Sequence, residues 1–180
     1  LTATSFEMHG GEISGNTATG SGGGVGLWNR AFTLSGGTII NNKATSGGGV
    51  YFKGDTLTIS DTVEISGNSA ANGGGVYFNG DTFNVSGNVS ITGNKNTGSG
   101  LTDADNNVYL PANKYITVAG TLTGSKIGVT TENIPDNSQY VRIASGTTSN
   151  TDPDKFLYEN DGTAVSAVVY GLVSCWMYII

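Results

Sequence analysis

Four asparagines stand at positions 16, 42, 68 and 94, an unbroken spacing of 26. Three residues before each is an isoleucine: Ile13, Ile39, Ile65 and Ile91. The local phrases read EISGN, TIINN, EISGN and SITGN. After the first three comes a short polar stretch and then GGGV, at 22–25, 47–50 and 73–76. An alternating run follows each: FTL at 32–34, LTI at 57–59 and FNV at 83–85. A register held this long marks a repeat architecture, and it constrains the chain more than any other feature. Each 26-residue unit contains three short β-like runs separated by Gly, Asn and Asp, with no room for a helix. Three strands per unit, repeated, describe a chain winding on itself. The expected fold is all-β: a right-handed parallel β-helix of about five to six coils, its hand taken from the crossover rule.

In such a coil each strand pairs with its copy in the next, roughly 4.8 Å away, so a residue recurring once per unit becomes a ladder. Alternation sends Val50 and Phe52 inward and Tyr51 outward. By the same rule Val25 with Leu27, Val76 with Phe78, and Val108 with Leu110 are inward pairs, and the four isoleucines form an inward ladder. Asn16, Asn42, Asn68 and Asn94 are expected at a corner, their amides bonding along the stack or to turn backbone. The triple glycines are expected where the backbone turns tightly, some through positive φ.

Regularity fades after residue 95, where KNTGSGLTDADNN replaces the triple glycine before the strand VYL resumes. YITVAG, SKIGVTT and QYVRIAS read as strands of less regular coils, and residues 156–165 as a hairpin turning near Asn160, Asp161 and Gly162. The last stretch, AVSAVVYGLVSCWMYII, is mostly apolar but short for a membrane span and lacks basic flanks, so it reads as a cap strand or the start of further structure. We place the coils in residues 1–130. Residues 131–180 form an irregular terminal coil, hairpin and apolar cap of the same domain.

Composition narrows the partners. Only 12% of residues are charged and the net charge is −6, so the clustered cations that nucleic acid requires are missing and no such partner is expected. The single cysteine, Cys175, permits no intramolecular disulfide, and its apolar setting predicts an inert thiol. The chain opens LTATSFEMHGG, without initiator Met or signal peptide, and reads as a mature fragment or an excised segment, so missing targeting signals say little about location. Membrane contact is expected only through flanking regions or the apolar C-terminus.

The pairing of (I/F)xGN with a downstream GG(x)V/I resembles the repeats of bacterial polymorphic membrane proteins, whose autotransporter passengers are β-helices. That family usually has Phe where Ile13, Ile39, Ile65 and Ile91 stand here, and the second unit has Asn41 in place of its Gly. The match spans about residues 6 to 110. The tract NNVYLPANKYITVAGTLTGSKIGVTT also looks like cell-surface β-helix proteins of anaerobic bacteria. The resemblance implies an extracellular or cell-surface bacterial protein, associated with an outer membrane or wall and often adhesive, and supplies no catalytic residue.

Parallel β-helices also include polysaccharide lyases and hydrolases, so acid and base candidates matter. His9 stands in a terminal coil, and Arg30 and Arg142 fall far apart. Asp55 and Asp81, both in GDT, are expected to stack on adjacent coils. Such a pair is a weak candidate for glycan chemistry or for a cation, but two ligands are too few for Ca²⁺ and Asx-type turn bonding explains the motif better. The outward row Tyr51, Tyr77 and Tyr109 suits sugar or protein contact, or ordinary cross-strand packing. A second outward row, Thr33, Thr58 and Asn84, is too mixed to read as an ice-binding face. The expectation is a non-catalytic adhesive or structural module, with no catalytic residue, cofactor or metal, whose partner is a host protein or neutral glycan. The alternative is a carbohydrate-binding or pectate-lyase-like protein.

Overall fold

The computed structural model describes residues 5–98, 103–133, 141–146, 153–160, 163–166, 168–170 and 175–179. The chain winds into a parallel β-solenoid of about five turns spaced by about 26 residues. Strands stack on three faces. The first carries Ser5–Met8, Ala31–Leu34, Thr56–Ile59, residues 82–85, Ile116–Leu122 and Val141–Gly146. The second carries Glu12–Ser14, Gly37–Ile40, Thr62–Ser66, and residues 88–91 and 126–127. The third carries Val25–Trp28, Val50–Lys53, Val76–Phe78, Val108–Leu110 and residues 129–131.

Alternation within these strands makes the core. Phe32, Leu34, Leu57, Ile59, Phe83 and Val85 line the first face from inside; Ile39, Ile65, Ile91 and Ile127 line the second. Val50, Phe52, Val76, Phe78, Val108 and Leu110 line the third, with the Phe52 and Phe78 rings 5.9 Å apart and nearly parallel. Each such buried side chain contributes roughly 1.5–3 kcal/mol. Ile13 joins the isoleucine ladder in register with Ile39 and packs against the core, but it is only half-buried.

Between the second and third faces the chain makes an excursion, at residues 16–24, 42–49, 68–75 and 94–107. These loops stack as well: Thr17, Lys43, Ser69 and Lys95 pair along the outgoing arms, and Ser21, Ser46 and Asn72 along the returning arms. The triple glycines are the returning arms, and their three members serve different ends. The first takes positive φ, 79° at Gly22, 63° at Gly47 and 61° at Gly73. The second passes against the backbone of the next coil: a methyl on Gly48 would lie 2.5 Å from the carbonyl oxygens of both Ser69 and Gly74. The third rests on the asparagine ladder, where a methyl on Gly75 would lie 2.8 Å from Asn94 Nδ2. Only the first is a turn glycine, and close backbone approach accounts for the others.

In the fifth turn the excursion is gone. Ile127 pairs with Ile91 on the second face and Val129 pairs with Val108 on the third, so Gly128 alone bridges the corner. Beyond it Val141–Gly146 and Phe156–Asn160 still stack in parallel, and antiparallel strands then pair with them at the edge that a solenoid otherwise leaves open. Phe156–Asn160 lies parallel on Lys126–Thr131 and forms an antiparallel hairpin with Thr163–Ser166. Residues 161 and 162 of its expected turn lie outside the described residues. Within the apolar C-terminal stretch, Cys175–Ile179 runs antiparallel to Val141–Gly146 and to Val168–Tyr170. Among the described residues no helix is long and apolar enough to cross a membrane.

Candidate functional site

Two ladders dominate the third face and the corner beside it, one outside and one inside. On the outside, Tyr51, Tyr77 and Tyr109 stand in direct register. Their rings stack, with centroids 5.0 Å apart for Tyr51 and Tyr77 and 5.4 Å apart for Tyr77 and Tyr109. The three predicted residues therefore come together as one surface. The row is longer than alternation alone indicates. Gly26 occupies the next rung, and Trp28 folds back over it so that its ring lies 5.4 Å from that of Tyr51. Trp28 is 50% exposed. At the other end Thr130 follows Tyr109 and the row stops.

Stacking determines what this surface offers. Each inner ring covers its neighbours' faces, so the tyrosines present edges and hydroxyls, while the indole of Trp28 is the exposed end of the row. Burial raises the Tyr77 hydroxyl above the usual phenol range, helped by Tyr51 and then Glu132. Burial likewise raises Tyr109, helped by Glu132 and then Tyr77. Both stay neutral, able to donate and accept hydrogen bonds.

Inside, the asparagine ladder is fully formed. Asn68 Oδ1 accepts from the backbone N–H of Asn42 at 2.9 Å and from Asn42 Nδ2 at 3.0 Å. Asn94 Oδ1 receives Asn68 in the same way, and Asn42 Oδ1 receives Asn16. Each amide nitrogen of the buried rungs also reaches the carbonyl of the isoleucine one coil back: Asn42 to Ile13, Asn68 to Ile39 and Asn94 to Ile65, at 2.8–2.9 Å. Asn42, Asn68 and Asn94 are buried, whereas Asn16 is exposed at the open end.

The ladder has a fifth rung that the 26-residue spacing does not reach. Asn107 Oδ1 accepts from Asn94 N–H and Nδ2, at 2.9 and 2.8 Å, although the two residues are only 13 apart. Asn107 Nδ2 then donates to the carboxylate of Glu159 at 2.7 Å. The Asn107 backbone N–H also favours the charged form of that carboxylate, so Glu159 stands where the next asparagine rung would. It does so over Gly128, where a methyl would overlap both carboxylate oxygens. Glu159 is 6% exposed. Desolvation pushes its carboxyl up to about 7, opposed by the Asn107 side-chain bond and reinforced by Asp105. The Asn107 backbone N–H and Lys95 lower it to a lesser extent. DNN at 105–107 is a visible trace of the fifth rung, but only the longer loop of residues 94–107 makes it recognisable. Glu159 carries no such trace.

Asp55 and Asp81 are exposed on adjacent coils, as expected. The expected Asx bonding is not what holds their turns. Among the described residues neither side chain has a partner, and backbone bonds from Asp81 N to Gly54 O and from Thr82 N to Asp55 O close the stack. Gly54 and Gly80 are there for close approach, since a methyl on Gly80 would lie 2.7 Å from Gly54 O. His9 is exposed, with Nδ1 2.6 Å from Ser35 Oγ and Nε2 3.2 Å from Glu7 Oε2. The row Thr33, Thr58 and Asn84 continues to Thr117, with Thr56 and Thr82 in a second row beside it; Ala31 and Asn84 interrupt the pattern. The coil of Thr56–Ile59 thus carries two outward threonines where one was expected. Among the described residues no three His, Cys, Asp or Glu side chains gather as metal ligands. The Cys175 side chain lies outside the described ones. Comparison of the chain with family models, curated proteins and solved structures finds no match.

Proposed function

We propose that the chain is a non-catalytic bacterial module, displayed at the cell surface or secreted, that acts as an adhesive or structural element. It meets a neutral glycan or a host protein along the outside of the third face. The observation that carries this reading is the continuous aromatic row Trp28, Tyr51, Tyr77 and Tyr109 across four coils. A solenoid holds such a row rigid, so little side-chain freedom is lost on contact, and aromatic anchors supply much of the energy in protein interfaces. Neutral phenol hydroxyls on a lightly charged, net acidic chain favour an uncharged partner over a polyanion. The resemblance to surface-displayed β-helix repeats supports the location.

A carbohydrate-binding reading draws on one specific feature. Trp28 leaves half its surface open at the end of the row, as a sugar ring stacking on an indole requires. The experiment is binding of the purified chain to neutral glycans and to extracellular-matrix proteins, with and without chelator. Replacing Tyr51, Tyr77 and Tyr109 together by Ala is expected to abolish binding. Loss on Trp28→Ala alone would favour the sugar. Binding untouched by the triple replacement would refute this face, and polysaccharide cleavage or dependence on calcium would overturn the non-catalytic reading.

A further inference from the structure

The fifth turn is covered by a strand that carries one buried acid, Glu159. Phe156–Asn160 pairs in parallel with Lys126–Thr131, with Ile127 opposite Phe156, Gly128 opposite Leu157 and Val129 opposite Tyr158. Thr130 Oγ1 donates to the Glu159 carbonyl at 2.7 Å. The Glu159 side chain passes over Gly128 and ends the asparagine ladder on Asn107. A carboxylate in that position is enclosed, and among the described residues its hydrogen-bond partner is the neutral Asn107 amide. From the loop of residues 94–107 it faces Asp105 and Lys95, which are already paired to each other at 2.7 Å and exposed. In the hairpin Glu159 stands opposite Ala164 in the strand register. On its own strand the neighbouring phenol of Tyr158 lies 3.3 Å from Thr131 Oγ1. On the strand beneath, Lys126 is exposed.

We propose that Phe156–Asn160 is a proton-dependent cap, which docks firmly on the fifth turn when the Glu159 carboxyl carries its proton and loosens when it is ionised. A protonated carboxyl still accepts from Asn107 Nδ2, so the ladder stays closed and no net charge is buried. Loss of the proton to solvent leaves a charge that the Asn107 amide only partly offsets, and the strand gains by returning it to water. The direction follows from linkage. The carboxyl is raised in the folded state, so its contribution is fully present below the ordinary carboxylate range and is lost as pH rises through about 7. An undocked cap exposes the paired edge of Lys126–Thr131, including Ile127 and Val129 from the core.

Hydrogen exchange of the whole chain, corrected for intrinsic rates, tests this at pH 5.5 and pH 8. In the wild type, amides of Phe156–Asn160 are expected to lose on the order of tenfold in protection at the higher pH. Those of Thr56–Ile59, far from the cap, are expected to keep theirs. Glu159→Gln, which keeps an acceptor and removes the proton equilibrium, should leave the cap equally protected at both pH values. Asp105→Asn, at an exposed position, should move the midpoint to lower pH by removing a charge that favours the protonated acid. Equal protection of the wild-type cap at both pH values would overturn the proposal, as would pH dependence that survives Glu159→Gln. If that variant does not fold, an unmoved midpoint in Asp105→Asn decides against it.

Discussion

The inner asparagine ladder and the outer aromatic row run side by side along the same coils, and they end in opposite ways. Asn42, Asn68 and Asn94 each hand two donors to the next rung, so the series must finish on an acceptor. It finishes on Glu159, brought from 52 residues away over a glycine that leaves room for it. The aromatic row is held by stacking, which leaves no orphan group when it stops. It ends on Thr130 at one side and on Trp28 folded over Gly26 at the other. Directional bonding in a dry interior requires a matched terminus, whereas stacking at a wet surface does not. Among the described residues no buried side-chain nitrogen or oxygen lacks a partner.

The largest test of this contrast is Asn68→Ala. It leaves the Asn42 N–H and Nδ2 without their acceptor in the interior and should destabilise the chain by about 2–6 kcal/mol, at roughly 1–3 per stranded group. Denaturant unfolding measures it, and a loss near that of a surface residue would show that water enters the corner. Next come the two terminal glycines, which look alike in sequence. Gly128→Ala drives a methyl into the carboxylate of Glu159 and should cost about 1–3 kcal/mol by overpacking. Gly26→Ala meets the far edge of the exposed Trp28 ring at 3.0 Å and the Ser21 carbonyl oxygen at an ordinary 3.4 Å, and should cost less than about 1 kcal/mol because that ring can swing away. Thermal melts that rank the two in reverse would break the comparison. Tyr77→Ala removes two stacking contacts at a half-exposed position and should cost about 1–2 kcal/mol in the same melts. The smallest effect is expected for Asn16→Ala at the open end of the ladder, below about 1 kcal/mol, since water replaces the lost amide. Asn16 and Asn68 are the same residue in the same register, so their difference isolates burial.

Much of this was legible in advance, for one physical reason. Repeated coils make local sequence and tertiary contact the same thing, because a residue's neighbour in space is its own equivalent 25 or 26 positions away. The inward pairs on Val50, Val76 and Val108, the outward tyrosines, and the Asn16 to Asn94 ladder are therefore readable from spacing and alternation. Where the register breaks, that equivalence fails. Asn107 joins the ladder after 13 residues because the loop before it returns to the same corner by a different length. Trp28 joins the aromatic row from two positions off register, through a side chain that reaches back over Gly26. Two of every three corner glycines serve a neighbouring coil's backbone or amide, which their own sequence context does not reveal.

By itself, then, the sequence determined a parallel β-solenoid, its three faces, its core and the two ladders within the regular coils. Periodicity specifies contacts wherever each unit meets a copy of itself. Only the tertiary structure decided how those ladders end. The terminal coil has no copy beyond it, so its donors and its edge must be satisfied by whatever the chain can bring from elsewhere. Glu159 and the antiparallel strands are brought by topology, and no repeat encodes them.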